Sequence, residues 1–405
     1  MQYDFDTILD RKHTNSEKWA VRDGELPMTT ADMDFKTAPE IMDAMKQKID
    51  QGAFGYEYPT PYYFQAVAAW YATEHHAAAE TDWMRFATGV IPAITASVHH
   101  FSHEGDNVLL MEPVYNTFYN SIINSGRHVI ASQQLYDHDQ HTYHVDWYDL
   151  EDKLANPLTT LMILCNPHNP TGYVWAKDEL IHILSLAKRH GVVVISDEIH
   201  GDLVLDGPDY TPTFSLPTEI TANLITLVST SKTFNLAALH SATGIVPNPI
   251  LRERFDRAIN KYEVAEPNLL AIPGAIAAYR HGGDWLHQLK KYVLGNRHYI
   301  ADFLQQNLPD LHLVPGTATY LIWIDTSAVS DDSAKLAQFI REDTGLIINP
   351  GTYYHGNGAG FIRINIAYPR KQVEDAMQRL LKAIKDFKKK KTKKAAARAA
   401  FFMVI

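Results

Sequence analysis

The chain has 405 residues, of which 46% are hydrophobic and 21% are charged. That length allows a large domain with a smaller one, and the composition is typical of a soluble globular protein. The net charge is −10, and because residues 385–398 hold eight basic residues and one acidic residue, the rest carries about −17, which argues against nucleic-acid binding. No apolar run reaches the length of a membrane span, the first six residues do not resemble a signal peptide, and the single cysteine, Cys165, excludes an internal disulfide framework. These features predict a cytoplasmic protein with no membrane partner.

Helical and apolar patterns alternate between residues 40 and 280. Pro39 opens an amphipathic stretch, and apolar side chains at helical spacing predict a second helix over residues 63–75. This alternation indicates an α/β fold with a mainly parallel sheet, whose ligands bind outside the carboxyl ends of the strands. We therefore predict a large domain over residues 46–284. Its predicted strands lie at residues 107–111, 129–131, 160–165, 192–196, 224–229 and 243–246.

The pattern changes near residue 285. A long helical stretch leads to further predicted strands, and together they indicate a smaller α+β C-terminal domain over residues 285–387. Residues 1–45 are expected to form an N-terminal segment that packs with this small domain. Residues 388–405 begin with a basic run, and we predict a disordered tail there.

The first segment with chemical promise is the turn formed by Thr88, Gly89 and Val90, which a helical pattern follows. A helix start offers free N–H groups and the positive end of the helix dipole, and both suit a phosphate. Gly89 also allows the backbone to approach a ligand closely. The pattern alone fits an ordinary glycine turn as well.

Two further segments place polar side chains after apolar strands. CNPHNPTG, residues 165–172, makes a rigid turn in which Asn169 can donate to a ring oxygen. In VVVISDEIHGD, residues 192–202, the strand ends in Asp197, which fits the carboxylate that a pyridinium nitrogen requires, and His200 could reach a ring hydroxyl. A metal site formed with Glu198 is the alternative, although no further ligands at suitable spacing support it.

The strongest single signal is Lys232, which follows the apolar run 224–229 in a hydroxyl-rich turn. A desolvated lysine has a lowered pKa, and its amine can then form a Schiff base with an aldehyde. Ser229 and Ser231 place hydroxyl groups within reach of a phosphate. An aldehyde and a phosphate on one molecule point to pyridoxal 5′-phosphate (PLP), although a solvated loop is the common reading of such a turn.

The last segment is FIRINIA, residues 361–367, in which the isoleucines share one strand face and Arg363 lies on the other. The guanidinium group matches a carboxylate in shape and charge. Together the segments supply an imine lysine, a pyridinium acid, a phosphate cup and a carboxylate clamp. This is the set of groups that an amino acid bound to PLP requires.

With these motifs the chain resembles the fold-type I PLP enzymes of the aminotransferase class I/II superfamily, and among them the MalY/PatB family of cystathionine β-lyase-like carbon–sulfur lyases. The resemblance covers about residues 3–385 and implies a large domain with a mainly parallel seven-stranded sheet, a smaller α+β domain and a homodimer. It implies a β-eliminating lyase that converts a sulfur amino acid to thiol, pyruvate and ammonia. The motifs are ADMDF (31–35), FGYEYP (54–59), GVIPA (89–93), PVYNTF (113–118), CNPHNPTG (165–172), SDEIHGDL (196–203), SKTFN (231–235) and FIRINIA (361–367).

The resemblance also implies a role for each site residue. Lys232 would be the Schiff-base lysine and the general base, and Asp197 would bind the pyridine nitrogen. Asn169 and His200 would flank the ring hydroxyl, and Tyr115 would stack on the ring. The remaining implied contacts are Val90 N–H, Ile91 N–H, Ser229, Ser231 and Tyr56 of the partner subunit to the phosphate, and Arg363 to the substrate carboxylate.

One position departs from the family pattern. Eight residues past the lysine, many relatives carry arginine or glutamine, whereas this chain has His240, which predicts a weaker or pH-sensitive phosphate contact. Two other functions remain open on the sequence. An aminotransferase shares every step through proton abstraction, and a regulatory binding protein could retain the fold.

Overall fold

The computed structural model describes residues 2–402 of the protein, with side chains through residue 393. Its helices are α1 (Pro39–Asp50), α2 (Pro61–Glu74), α3 (Val90–Phe101), α4 (Thr117–Ile123), α5 (Trp147–Ala155), α6 (Lys177–Arg189), α7 (Thr230–Thr233), α8 (Pro249–Lys261), α9 (Ala271–His281), α10 (Gly283–Asn307), α11 (Ser333–Thr344) and α12 (Arg370–Phe402). Its strands are β1 (Leu26–Pro27), β2 (Met84–Ala87), β3 (Asn107–Glu112), β4 (His128–Gln133), β5 (Leu135–Asp137), β6 (Thr142–His144), β7 (Thr159–Cys165), β8 (Val193–Asp197), β9 (Leu224–Val228), β10 (Ala242–Ile245), β11 (His312–Leu313), β12 (Leu321–Asp325), β13 (Leu346–Ile347), β14 (Asn349–Pro350) and β15 (Phe361–Asn365).

The large sheet has seven strands in the order β2-β10-β9-β8-β7-β3-β4. All neighbours pair in parallel except β10, which is antiparallel to β2 and β9. The predicted α/β fold with a mainly parallel sheet is therefore confirmed. The inner strands read as continuous apolar runs because both of their faces are buried, as all five residues of β9 show.

This sheet gathers the polar strand ends on one edge. The five strands β2, β3, β7, β8 and β9 run in the same direction, so their carboxyl ends meet at the same side. The turns that follow them carry the residues predicted for the site. Parallel α/β sheets bind ligands at this edge, and the topology alone therefore brings the predicted residues together.

A second sheet of four antiparallel strands has the order β11-β12-β15-β14. It packs with α10 and α11, which in turn contact α12, and it corresponds to the predicted smaller α+β part of the chain. The N-terminal segment reaches this region through β1, which pairs in parallel with β13. Within the described residues, no helix has the length and apolar character needed to cross a membrane.

Helix α12 runs into residues 388–405, the segment for which the sequence predicts a disordered tail. Helix α12 packs through Val373, Met377, Leu380 and Ile384, which are buried at helical spacing, and its backbone then continues through the basic run to Phe402. Alanine, lysine and arginine are strong helix formers, so a helix that has begun by packing continues through them. Residues 403–405 lie outside the described part of the chain.

Candidate active site

A cavity of about 280 Å³ opens at the carboxyl edge of the large sheet. Such a volume suits a small organic ligand. It gathers residues from four of the predicted segments, from the start of α3 to the turn after β9. The predicted residues that line it are Val90, Ile91, Tyr115, Asn169, Asp197, His200, Ser231 and Lys232, and His240 lies at the same cavity.

Lys232 reaches the cavity because the buried strand β9 stops at a capped turn. The Ser229 side chain accepts a hydrogen bond from the Ser231 N–H at 3.0 Å and thereby starts the short helix α7. The Lys232 ammonium donates to the Ala31 carbonyl at 2.8 Å. Burial lowers the pKa of Lys232 to about 8, and the charge of Arg363 acts in the same direction. A substantial fraction of the amine is therefore neutral near pH 8, as a nucleophile or a base requires.

Asp197 is the last residue of β8 and lies with its carboxylate at the cavity. One oxygen accepts the Ile199 N–H at 3.1 Å. Burial raises the pKa of this carboxyl to about 7, although the charge of Lys232 opposes the shift. The pKa of a buried carboxylate is raised when the positive charge around it does not offset its burial. Such a carboxylate is suited to bind a cation on a ligand.

His200 supplies a neutral imidazole to the same cavity. Its ring packs edge-on against Tyr320, with ring centres 6.4 Å apart. Burial lowers the pKa of His200 to about 3, and the charges of Lys232 and Arg363 add to this effect. Among the described residues, its buried Nδ1 atom has no hydrogen-bond partner, and such a nitrogen is available to a bound ligand.

Arg363 lies behind Asn169 on β15. Its guanidinium group donates to Asn169 Oδ1 at 3.2 Å and to the Thr29 carbonyl at 2.9 Å. It also lies above the Tyr354 ring, 4.9 Å from the ring centre. Both hydrogen-bond acceptors are neutral, and in the described part of the chain no carboxylate forms an ion pair with this arginine. Its charge is therefore free to bind an anion.

The start of α3 and the serine turn lie at the other end of the cavity. Gly89 precedes α3 with φ of 124°, a backbone angle that other residues rarely adopt, and no side chain of this residue caps the first N–H groups of the helix. Ser231 lines the cavity, whereas Ser229 lies behind it and donates to the Ser241 carbonyl at 2.6 Å. The structure thus places Ser231, Val90 and Ile91 at a potential anion site, with Ser229 as their support.

Tyr56 is the predicted residue that lies apart from the cavity of its own chain. It stands in the loop between α1 and α2 and is fully exposed. Phe54 and Tyr58, on the same loop, are also mostly exposed. An exposed aromatic loop is what a residue that acts in a neighbouring subunit would require.

Sequence reasoning missed the part played by residues 29–35, here called the N-terminal strap. The Ala31 carbonyl accepts hydrogen bonds from Lys232 and from the Tyr320 hydroxyl at 2.9 Å. The Asn235 and Asn365 side chains hold further carbonyl groups of the strap. The signal lay in the motif ADMDF itself and in the asparagines of SKTFN and FIRINIA, Asn235 and Asn365, which had no assigned task.

The Asn169 turn depends on a close backbone contact with Gly316. A Cβ atom added to Gly316 would lie 1.9 Å from the Thr171 carbonyl oxygen. We expect Gly316→Ala to reduce the free energy of unfolding by about 1–3 kcal/mol, because backbone atoms rather than a flexible side chain must move to make room for the methyl group. Urea unfolding measures the loss. Gly283→Ala is the matched control, since the nearest atom to its added Cβ lies 3.7 Å away, in ordinary contact, and an equal loss in both variants would contradict the expectation.

Comparison with known proteins agrees with this geometry. The profile of the family described as aminotransferase class I and II matches residues 24–380, so the chain belongs to this family. It is 36% identical to cystathionine beta-lyase PatB of Bacillus subtilis strain 168 over 387 residues, which cover 94% of this chain and 99% of the relative. It is 35% identical to protein MalY of Escherichia coli K12 over 393 residues, which cover 95% and 99%. The crystal structure of cystalysin from Treponema denticola, which contains PLP, has a TM-score of 0.91 at 32% identity and covers 95% of this chain and 100% of cystalysin.

Proposed function

We propose that the protein is a PLP-dependent carbon–sulfur lyase that performs β-elimination on sulfur-bearing amino acids such as cystathionine. The observation that carries the proposal is the presence of the Lys232 amine and the Asp197 carboxylate in one cavity, with Arg363 bonded to Asn169 at its wall. The similarity to relatives named as cystathionine β-lyases supports the lyase assignment over an aminotransferase.

The residues present fit PLP. Asp197 would neutralise the ring nitrogen, and the unpartnered Nδ1 of His200 would lie near the ring hydroxyl with the Asn169 amide. Tyr115, at the same cavity, would cover a ring face. Ser231 and the first N–H groups of α3 would hold the phosphate. Among the residues described, no group of three or more His, Cys, Asp or Glu side chains is placed to hold a metal ion.

The chain's own residues divide the work of β-elimination. When bound, PLP withdraws electrons from the substrate Cα. Arg363 holds the substrate carboxylate, and the neutral Lys232 amine removes the proton from Cα. The Cβ–S bond then breaks, and the sulfur leaves as a thiolate with the bonding electron pair. The remaining three-carbon unit reacts with one water to give pyruvate and ammonia. The lowered pKa of Lys232, about 8, suits a base that must accept and return a proton.

Incubation with cystathionine tests the proposal. We expect pyruvate and homocysteine to form in equal amounts without any added keto acid, with pyruvate followed by lactate dehydrogenase and the thiol by a colorimetric reagent. Strict dependence on a keto acid would identify an aminotransferase instead. No turnover of any sulfur amino acid, in a protein that binds PLP, would favour the regulatory binding protein.

The role of Arg363 leads to a separate prediction. Arg363→Lys should raise the KM for cystathionine at least about tenfold with a smaller effect on kcat, because lysine cannot bind a carboxylate through two parallel hydrogen bonds. Steady-state kinetics measure the two constants separately. Arg341→Lys is the control, since Arg341 pairs with Glu25 at the surface. A KM unchanged in Arg363→Lys would remove Arg363 from the carboxylate site.

We also infer a homodimer in which Tyr56 reaches the PLP phosphate of the partner subunit. The aromatic side chains that the loop exposes support this assembly. Neither Tyr56→Ala nor Lys232→Ala should be active alone, whereas a mixed dimer should regain one native site from the Lys232 of one subunit and the Tyr56 of the other. Mixing after mild unfolding, followed by an activity assay, tests this; a mixture as inactive as its components would contradict it.

We further place the enzyme in the cytoplasm. Its cysteine is a free, buried thiol, as is usual for proteins of reducing compartments. Fractionation of the source cells with a specific antibody tests the location.

A further inference from the structure

Two carboxylates of the N-terminal strap, Asp32 and Asp34, form a compact cluster with the basic side chains of Lys18 and Arg11. Lys18 pairs with Asp32 at 2.8 Å and with Asp34 at 2.5 Å, and its side chain is fully buried. Arg11 pairs with the same two carboxylates, at 2.6 Å to Asp32 and 3.2 Å to Asp34. A buried ion-pair cluster costs desolvation energy and so contributes little net stability, which leaves its presence to be explained.

The cluster is joined to the catalytic lysine through the backbone. Lys18 also donates to the carbonyl of Asp32 at 2.9 Å and fixes the strap there. The preceding carbonyl, that of Ala31, is the acceptor for the Lys232 ammonium. The Asn365 amide donates to the same Asp32 carbonyl at 2.7 Å. Asp32 therefore stands one residue from the atom that holds the Lys232 amine, and it cannot move away without breaking these bonds.

Charges from three parts of the fold surround the Lys232 amine. Besides burial, which lowers its pKa most, Arg363 on β15 and Lys18 in the N-terminal segment act to lower the pKa, and Asp32 in the N-terminal segment and Asp197 on β8 act to raise it. The other titratable groups at this position are His200, Tyr320 at the Ala31 carbonyl, and Tyr115 and His240 at the cavity. Asp197 is committed to the ligand cation under the proposed function. Asp32 is then the carboxylate that remains to balance the amine.

We propose that Asp32 is a positioning residue that sets the proton affinity of the Lys232 amine, and that Lys18 moderates its charge. This inference rests on the proposed function for the biological role of Asp32. The interaction between the charges of Asp32 and Lys232 involves only residues of the chain and does not require PLP. It gives the ion-pair cluster a task. Without Asp32 the Lys232 amine would lose its proton at a lower pH, and without Lys18 the charge of Asp32 would hold the amine protonated to a higher pH.

Two substitutions have opposite expected effects. Asp32→Asn removes the negative charge and should lower the pKa of Lys232 by about one unit, whereas Lys18→Gln leaves the Asp32 charge less compensated and should raise it. Loss of packing or of hydrogen bonds would not produce shifts of opposite sign. Asp23→Asn is the control, because Asp23 pairs with Lys12 away from the site.

Competitive labelling of the full chain, freed of PLP by hydroxylamine, measures the titration of Lys232. Trace acetic anhydride is applied between pH 6 and 10, and mass spectrometry gives the acetylated fraction of the Lys232 peptide. The pH at which the visible absorption of the PLP-loaded enzyme changes should move in the same direction. If Lys18→Gln does not fold, Arg11→Gln replaces it with the same expected sign, since Arg11 has a side chain 23% exposed.

A Lys232 titration unchanged in Asp32→Asn would overturn the proposal, and so would shifts of the same sign in Asp32→Asn and in the variant of the basic partner. Failure of the proposed function has a separate signature. Wild-type protein that shows no visible absorption band with saturating PLP would count against the function and leave the labelling result intact.

Discussion

Replacing Lys232 with alanine is expected to reduce cystathionine turnover by at least about 10³-fold, because the substitution removes both the covalent anchor of PLP and the base for the Cα proton. Coupled detection of pyruvate measures the loss. A second readout is independent of turnover: borohydride should fix PLP to the wild-type chain and leave the variant free of it after dialysis. The two results together separate an inactive site from one that has lost its cofactor.

The matched control for this substitution is Lys290→Ala. Burial lowers the pKa of Lys290 as it does that of Lys232, but Lys290 lines a different cavity, beside Asp202. Lys290→Ala should therefore keep its turnover and its borohydride-fixed PLP. Turnover that survives in Lys232→Ala would remove this residue from the mechanism, whichever substrate is used.

Asp197→Asn is expected to act in opposite directions on activity and stability. It should reduce kcat by about 10²-fold or more, since one preorganised charge at the reacting ligand is lost. The ligand-free variant should nevertheless be more stable than the wild type at alkaline pH. The wild-type carboxyl has its pKa raised from the usual 3.8 to about 7 by burial. Holding it ionised therefore costs folding energy, and asparagine removes this cost.

The pH dependence follows from that raised pKa. Between about pH 4 and pH 7 the unfolded chain has already released the proton that the folded chain retains, so wild-type stability falls as pH rises and levels off above pH 7. The advantage of Asp197→Asn should grow by about 2–3 kcal/mol between pH 5 and pH 8.5. Urea unfolding of the ligand-free proteins at both pH values measures it.

Asp202→Asn provides a control of opposite sign. Burial acts to raise the pKa of Asp202, but hydrogen bonds from His75, Trp70 and Thr233 outweigh it and hold the pKa below its usual value. Asp202→Asn should therefore destabilise the protein at pH 8.5. If Asp197→Asn were destabilising there as well, the raised pKa of Asp197 would be refuted.

The site residues at strand ends could be predicted from the sequence because each follows an apolar run. Parallel pairing then carries Asn169, Asp197 and Lys232 to one edge whatever the details of packing. Arg363 could be assigned a face by alternation along FIRINIA, although not its contacts with Asn169 and Thr29. The periodicity of a local sequence predicts the type of secondary structure and the face on which a residue lies. It does not predict which distant residues that side chain will contact.

Some features could not be predicted because they depend on contacts between distant parts of the chain. Others could not be predicted because a short or highly charged segment does not show its secondary structure clearly. The bond from Lys232 to Ala31 spans 201 residues, and no local pattern indicates it. Strand β2 escaped prediction because it has four residues and Arg85 interrupts it. The basic tail resembles a disordered segment in charge, and its lysines and alanines also favour a helix, so composition alone does not separate the two.

The strap carbonyls that hold Lys232 and Arg363 have a consequence for recognition. Before any amino acid arrives, both side chains donate to uncharged oxygens: Lys232 to the Ala31 carbonyl, and Arg363 to the Thr29 carbonyl and to Asn169 Oδ1. A carboxylate is a stronger partner for a guanidinium than a peptide oxygen is, so an incoming anion gains more than the protein gives up. If an acidic side chain of the strap were bound to Arg363 instead, its carboxylate would compete with the carboxylate of the ligand for the guanidinium group. Under the proposed function, Arg363 would therefore exchange the Thr29 carbonyl for the carboxylate of an entering amino acid, and a neutral amine would offer no such partner.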